Sequence, residues 1–256
     1  MNELYNNDYL NKSTEFINHI KERSHSLLPL GNSEKKILEI GCGNGYDAIA
    51  LALKNPLCQI IGIDINNDLI LASRQNAVAS QCENVEFILS DAEKMPFPAN
   101  SFDIIRAERV FQHLKNVPDV MAEISRVLKP KGTISIIETD WLGMDIYIED
   151  HKIEKKIIEA LCQHVLPNGN ATRNILSYFK KANISIAAIE LTPLIMTDYA
   201  VADALIKFDN IIEVALKKKI LTPAEKNRWE ENINFINKQN SFNLTVNILI
   251  YSGIKL

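Results

Sequence analysis

Short apolar runs and longer amphipathic stretches alternate along the first half of the chain. The runs have the length of buried strands, and the stretches between them repeat apolar residues at helical spacing. We predict these elements in order: strand 36–40, helix 45–54, strand 58–63, helix 67–80, strand 84–89, strand 102–106, helix 117–128 and strand 132–138. Such alternation predicts a mostly parallel sheet that is covered by helices on both faces.

Beyond Asp140 the pattern is less regular. The predicted elements there are helix 153–165, helix 171–181, strand 184–195, an entirely helical stretch at 199–238 and strand 244–251. An amphipathic stretch at 10–28 precedes the first strand, and we expect it to cover a ligand cleft. We therefore expect a single domain over 1–256, with a helical cover at 1–30, a core at 36–140 and helical insertions at 141–169 and 199–240.

The composition is that of an ordinary globular protein. The 256 residues are 46% hydrophobic and 23% charged, which is enough for one large α/β domain, and the net charge of −4 argues against a broad phosphate-binding surface. No basic segment followed by an apolar one begins the chain, and no apolar run reaches membrane-spanning length, so we expect a cytoplasmic protein without a membrane span. The widely scattered cysteines predict reduced thiols and no metal site. These are Cys42, Cys58, Cys82 and Cys162.

The most informative local pattern is the glycine cluster Gly41–Gly45, which joins a predicted strand to a predicted helix. Glycines there let the backbone turn sharply and let a ligand lie against the main chain. Asp64 ends the second strand at the distance where such folds bind a ribose. A dinucleotide fingerprint needs glycine at position 46, where Tyr46 stands, and the Gly-Lys-Ser/Thr of a P-loop is absent. The pattern therefore favours a nucleoside without a pyrophosphate.

Further motifs follow the glycine cluster in a fixed order. The series is Glu39-Ile40-Gly41-Cys42-Gly43-Asn44-Gly45, Asp64, Ser90-Asp91-Ala92-Glu93 before Met95-Pro96-Phe97, Ser101-Phe102-Asp103-Ile104-Ile105, and Val127-Leu128-Lys129-Pro130-Lys131-Gly132-Thr133. Over roughly residues 37–140 this series resembles the class I S-adenosylmethionine-dependent methyltransferases, with Lys131 where the family usually has glycine. Within that family the chain looks most like the small-molecule enzymes of ubiquinone and menaquinone biosynthesis.

The resemblance implies a doubly wound, Rossmann-like α/β fold. It has a mostly parallel seven-stranded sheet, an antiparallel C-terminal strand and helical insertions that cap the cleft. The resemblance also implies S-adenosylmethionine as cofactor and S-adenosylhomocysteine as product. The implied cofactor contacts are Glu39, Gly41, Cys42, Gly43, Asp64, Ile65, Asp91, Ala92, Ala107 and Val110. In this family Asp64 would accept hydrogen bonds from both ribose hydroxyls, and Asp91 would accept one from the adenine amine.

Each of these polar residues also has a structural interpretation. Asp64 could cap the following helix, Asp91 could cap a turn, and Glu39, on an apolar strand, needs a partner to offset its burial. Arg106 and Arg109 could clamp the cofactor carboxylate or pair with neighbouring acidic residues.

Methyl transfer from a sulfonium is mainly a matter of positioning, and a base is needed only when the acceptor atom holds a weakly acidic proton. Asp140 and His113 are the candidate bases. A lone histidine among apolar residues can equally be a hydrogen-bonded core residue, and Asp140 can cap the next segment. Trp141 and Tyr147 are candidates for contacting the acceptor, and Glu138 lies at the same rim; Trp141 could instead pack beneath the helical insertions.

We expect a methyltransferase that acts on a small organic molecule. No basic arm with interleaved aromatic residues is present, which argues against a nucleic acid partner. Arg106-Ala107-Glu108-Arg109 stands where enzymes that methylate amide or base nitrogens carry a sequence of the N-P-P-Y type. Methylation of a protein is one alternative, and a regulatory module that binds the cofactor without methyl transfer is the other.

Overall fold

A computed structural model describes residues 17–256 of the chain. Within these residues, seven strands alternate with nine α-helices. The elements are α1 (Asn18–Ser26), β1 (Lys36–Ile40), α2 (Tyr46–Lys54), β2 (Gln59–Asp64), α3 (Asn67–Ala79), β3 (Val85–Leu89), β4 (Phe102–Glu108), α4 (Val117–Val127), β5 (Leu128–Ile146), α5 (His151–Ala160), α6 (Ala171–Lys181), β6 (Ile184–Met196), α7 (Tyr199–Ile206), α8 (Phe208–Lys217), α9 (Pro223–Lys238) and β7 (Leu244–Lys255). The predicted helix at 10–28 is described only from residue 17 onward.

The seven strands form one sheet in the order β3-β2-β1-β4-β5-β7-β6. The first five strands in this order run parallel, whereas β7 lies antiparallel between β5 and β6. Strand order reverses between β1 and β4, which is the place where open α/β sheets bind ligands. The predicted fold class is therefore confirmed.

Strand β5 is much longer than the predicted strand 132–138 because its pairing with β4 begins at Leu128 and its pairing with β7 continues to Ile146. Asp140 pairs with Asn247, and after a register shift Asp145 pairs with Thr245. Polar side chains at these positions broke the apolar pattern on which the sequence prediction relied. Backbone hydrogen bonds to a distant strand hold this part of β5, and local periodicity does not report them.

The stretch at 199–238 was predicted to be entirely helical, and the structure instead divides it into α7, α8 and α9. Lys207 adopts a left-handed conformation, with φ +64°, between the first two helices. The third helix begins at a capping box in which Thr222 and Glu225 satisfy each other's backbone N–H groups. No helix in residues 17–256 has the length and apolar character needed to cross a membrane.

The three helices pack on the last strands through an aromatic cluster of Tyr199, Phe208, Trp229 and Phe242. Phe208 and Trp229 are almost fully buried and belong to one apolar core with β6, β7 and the end of β5. A second core lies under α4 and α6, and a third lies under α2 and α3. The helices on both faces therefore leave the carboxyl ends of β1, β2 and β4 open for a ligand.

Candidate active site

A cleft of about 440 Å³ lies at the carboxyl ends of β1, β2 and β4. This volume is in the range of small-molecule sites, which is roughly 300–1,000 Å³. The cleft brings together seven of the ten predicted cofactor contacts: Gly41, Gly43, Asp64, Ile65, Asp91, Ala92 and Val110. Glu39, Cys42 and Ala107 do not line it.

The loop Gly41–Gly45 needs glycine for both conformation and space. Gly41 and Gly45 have φ of +65° and +82°, in the left-handed region that other residues seldom adopt. A Cβ on Gly41 would lie 2.5 Å from Cγ2 of Val110, and one on Gly45 would lie 2.6 Å from Cζ of Phe87. The loop therefore presents bare backbone to the cleft.

The carboxylate of Asp64 joins this loop to the end of β2. Its Oδ2 accepts the N–H of Gly43 at 2.9 Å, and its Oδ1 accepts the N–H of Asn66 at 2.9 Å. Burial raises the pKa of Asp64, while the backbone N–H bonds oppose that rise. A carboxylate offers about four lone-pair sites, so beside its backbone donors it can still accept hydrogen bonds from a ligand. The helix cap is Asn66 rather than Asp64, because the Asn66 side chain accepts the N–H of Asp68.

Asp91 lies at the other end of the cleft, on the loop after β3. Its Oδ1 accepts the N–H of Glu93 at 2.9 Å, which closes a tight turn. The residue is exposed and lines the cleft. The structural and the ligand-binding interpretations of Asp91 are therefore compatible.

Arg106 cannot clamp a cofactor in this cleft. It is fully buried, and its Nη1 donates to Glu39 Oε2 at 2.6 Å and to Asp47 Oδ2 at 2.8 Å. Glu39 accordingly has the buried partner that its apolar strand requires. Ala107 is also buried, and neither Glu39 nor Ala107 contributes surface to the cleft.

Arg109 lies between the cleft and a second, smaller cavity. Its backbone has φ +52°, a left-handed conformation that is strained for a residue with a side chain, and such strain often marks a functional site. The smaller cavity has a volume of about 30 Å³ and lies between the rim of the sheet and α7. Its other walls include Trp141, Leu194, Met196, Leu205 and Ile206. Among residues 17–256, Arg109 is thus the one residue that borders both this cavity and the larger cleft.

A chain of hydrogen bonds links the two cavities through Gln112. Trp141 Nε1 donates to Gln112 Oε1 at 2.6 Å, and Gln112 Nε2 lies 3.0 Å from His113 Nε2. An indole N–H can only donate, so it fixes the orientation of the amide and makes Gln112 Nε2 the donor to the imidazole. His113 is therefore neutral, and burial together with Arg109 lowers its pKa to about 4.

Glu138 binds the backbone of the turn 111–113 that carries Gln112 and His113. It is fully buried, its Oε1 accepts the N–H of Phe111 at 2.5 Å, and its Oε2 has no hydrogen-bond partner among residues 17–256. Burial raises its pKa to about 8, although the N–H groups of Phe111 and Gln112 and the charge of Arg109 oppose the rise. Glu138 therefore holds the backbone of the cleft wall at Phe111, and it does not line either cavity.

Asp140 and Tyr147 lie outside both cavities. Arg173 binds the Asp140 carboxylate through Nε at 3.2 Å and Nη2 at 3.0 Å, and Thr172 donates to it at 3.1 Å. The structure therefore favours a structural role for Asp140, tying β5 to α6. Tyr147 is 52% exposed, and its N–H bonds the carbonyl of Asn243. Gln112 is one of the site residues that the sequence prediction missed, since a glutamine between an aromatic residue and a histidine has no distinctive pattern.

Comparison with known proteins gives a consistent result. Residues 31–183 match a family model described as a methyltransferase domain. The chain is 32% identical over 137 residues to a demethylmenaquinone methyltransferase of Geobacillus sp. (strain WCH70), a match that covers 52% of this chain and 57% of the relative. In the curated relatives that we compared, the matched part spans between 44 and 66% of their own length.

Two solved structures have a similar fold. The YcgJ protein of Bacillus subtilis superposes with a TM-score of 0.67 at 20% identity, covering 93% of this chain and 98% of that one. A geranyl diphosphate methyltransferase, solved in complex with SAM, gives a TM-score of 0.60 at 15% identity and covers 93% of this chain and 85% of that one. Identities this low show a common fold and no more.

Proposed function

The chain belongs to the class I S-adenosylmethionine-dependent methyltransferases, and on that basis we propose that it methylates a small, largely apolar organic acceptor. The observation that carries the proposal is the geometry of the cleft. Two glycines without side chains, Gly41 and Gly43, line the cleft beside an aspartate that can still accept hydrogen bonds. When bound, the cofactor supplies its methyl group by in-line displacement at the methyl carbon. The protein's task is then to bind and align the two reactants.

The residues of the cleft fit each part of this cofactor. Asp64 would accept the two ribose hydroxyls with the lone pairs that its backbone donors leave over. Asp91 and Ala92 would contact the adenine edge, and Ile65, which is 73% exposed, offers an apolar surface for the ring face. The backbone at Gly41 and Gly43, which both line the cleft, would lie against the amino acid part of the cofactor.

The acceptor would bind on the other side of Arg109. The small cavity there is apolar apart from Arg109 and Thr139, which suits an apolar molecule with one polar group. At about 30 Å³ it holds a single water-sized volume, so acceptor entry requires movement of side chains on α7 such as Leu205. The relative from Geobacillus supports this class, since its name gives demethylmenaquinone as the acceptor. Trp141 would contact the acceptor, whereas Tyr147 is too distant to line this cavity.

Of the two candidate bases, only His113 borders the cleft. Its low pKa keeps the imidazole neutral at pH 7, but its acceptor nitrogen already accepts from Gln112, so it could take a proton only weakly and only after that hydrogen bond breaks. Asp140 is held by Arg173 and would have to break that ion pair first. The site therefore suits an acceptor whose own proton is easily lost, and the proposal does not extend to Asp140.

Calorimetric titration with S-adenosylmethionine and S-adenosylhomocysteine tests the site. Asp64→Ala should raise the Kd of both ligands at least tenfold, on the order of the loss of a hydrogen bond to a charged group. Asp68→Ala is the matched control, because Asp68 lies in the first turn of the next helix and does not line the cleft. A folded Asp64→Ala protein that binds as tightly as the parent would refute the site.

The class of acceptor requires a separate assay. S-adenosylhomocysteine release should be measured with a panel of hydroxylated quinones, phenols and short prenylated compounds, and in parallel with unmodified proteins. Release that depends on the small molecules supports the proposal. Release that depends only on protein favours the macromolecular alternative, and cofactor binding without release across the panel favours the regulatory module.

A further inference from the structure

Arg106 occupies an unusual place beneath the glycine loop. It lies on β4 directly opposite Glu39 on β1, so the two side chains point to the same face of the sheet. The guanidinium group is 0% exposed, and arginine is seldom fully buried unless it is paired. Its Nη1 donates to Glu39 at 2.6 Å and to Asp47 at 2.8 Å.

These two carboxylates stand at opposite ends of the glycine loop. Glu39 is the second residue before Gly41, and Asp47 is the second residue after Gly45. One nitrogen atom of Arg106 therefore joins the strand end and the helix end of the loop. Glycines have little conformational preference of their own, so such a loop keeps a single shape only if its ends are fixed.

We propose that Arg106 is a positioning residue that sets the affinity for the cofactor by holding both ends of the glycine loop. It does this without touching the ligand, since it lines neither cavity. A loop that is already in its bound shape loses less entropy when the ligand binds. The inference rests on the proposed cofactor site, but the shape of the loop can be measured without any ligand.

Helix α1 contributes to the same arrangement. Ser24 accepts from Arg106 Nη2 at 3.1 Å, and His25 Nε2 lies 3.1 Å from Asp47 Oδ1. Burial disfavours the charged form of Asp47, but Arg106 and the other cations outweigh it and hold its pKa well below the usual range. Asp47 thus carries its charge when it binds the guanidinium, and charge-assisted hydrogen bonds are the stronger kind.

The test must separate positioning from folding. Removing Arg106 alone would leave buried carboxylates uncompensated and could prevent folding, whereas replacing a buried ion pair by apolar residues is often neutral or stabilising. We therefore choose the double variant Glu39→Met/Arg106→Met, in which Asp47 keeps His25. Asp103→Asn/Lys129→Met is the matched control, because it removes the ion pair at the opposite end of the same strand.

Three measurements are made on each full-length protein: the thermal unfolding midpoint, hydrogen exchange of the segment 41–47 by mass spectrometry without ligand, and the Kd for S-adenosylmethionine. In Glu39→Met/Arg106→Met we expect a folded protein with a lower midpoint, because Asp47 loses its guanidinium partner, together with faster exchange in 41–47 and a Kd at least ten times higher. KM for the cofactor should rise more than kcat falls. The control should match the parent within twofold in Kd and show unchanged exchange.

A folded double variant with a Kd within twofold of the parent, or with unchanged exchange in 41–47, would overturn the proposal. If the double variant does not fold, the Kd of Asp47→Asn tests the proposal instead. This substitution weakens only the contact of Arg106 with the helix end of the glycine loop, and the asparagine keeps an oxygen that Arg106 can bind. The Kd of this variant should rise at least threefold, and an unchanged Kd counts against the proposal. If the parent itself fails to bind S-adenosylmethionine, the proposed function fails instead, while exchange in 41–47 still reports whether Arg106 orders the loop.

Discussion

Replacing Glu138 by glutamine is expected to remove a loss of stability that the parent protein suffers as the pH rises. Glu138 is fully buried beneath the cleft wall, with one oxygen bonded by the N–H of Phe111. Burial raises its pKa from the ordinary 4.5 to about 8. Between these two values the folded state binds more protons than the unfolded state, so the free energy of unfolding falls as the pH increases.

The magnitude follows from the same two values. The difference between a pKa of 4.5 and one of about 8 corresponds to roughly 5 kcal/mol of unfolding free energy, lost progressively across that range. For a domain of this size, 1 kcal/mol moves the unfolding midpoint by about 2–4 °C, so the whole effect is about 10–20 °C. Glutamine keeps an oxygen for the Phe111 N–H and carries no charge at any pH.

Thermal unfolding of the parent and of Glu138→Gln should be compared without ligand from pH 5 to pH 8.5. Near pH 5 the parent should be at least as stable, because the buried amide of glutamine brings N–H groups without partners. The variant should gain steadily on the parent toward pH 8. Glu225→Gln serves as control, since Lys156 and Thr222 lower the pKa of Glu225 to about 2, below this range. A difference between parent and Glu138→Gln that does not grow with pH would show that Glu138 is not held protonated by burial.

Two further predictions test the cleft. Gly41→Ala should raise the Kd for S-adenosylmethionine at least tenfold in calorimetry, because the new Cβ would lie 2.5 Å from Val110 Cγ2. Gly31→Ala is the control and should leave the Kd unchanged, since Gly31 also has a positive φ of +54° but no atom lies within 4 Å of the added Cβ. Equal changes in Kd for the two variants would contradict the steric argument. The pKa of His113 is about 4 in the folded protein and 6.5 in the unfolded chain, so the unfolded state binds more protons between these two values. As the pH falls from 6.5 to 4, the free energy of unfolding of the parent should therefore decrease by about 3 kcal/mol relative to that of His113→Gln, as measured by urea unfolding. If the free energies of unfolding of the two proteins change in parallel with pH, this prediction is refuted.

Local signals were enough to predict the fold class and most of the residues that now line one cleft. Strand β1, the glycine loop after it and the position of Asp64 at the end of β2 are all determined by residues that are adjacent in the chain, so a sequence pattern can show them. Lys131 stands where the resembled family usually has glycine, and its φ of +63° shows that the turn still takes a left-handed residue. The roles proposed for Asp64 and Asp91 stay predictions until ligand binding is measured.

Other features depend on residues far apart in the chain, and sequence patterns do not report them. Arg106 was considered for a ligand clamp, but the register of β1 and β4 places it opposite Glu39 and away from the cleft. Asp140 comes directly after the predicted strand, where a catalytic residue is expected. In the structure its carboxylate instead pairs with Arg173 of α6. Gln112, in the turn after β4, acquires its role only because Trp141 on β5 donates to it.

The inner position of β7 determines when the sheet can be completed. Among residues 17–256 this strand is the last element, yet it lies between β5 and β6, and β6 joins the sheet only through it. During synthesis, elements near the N-terminus can form first, so β1 to β5 can associate while the edge of β5 stays unpaired. That edge is long and open to wrong partners, which makes insertion of β7 the expected slow and aggregation-prone step in the folding of this protein.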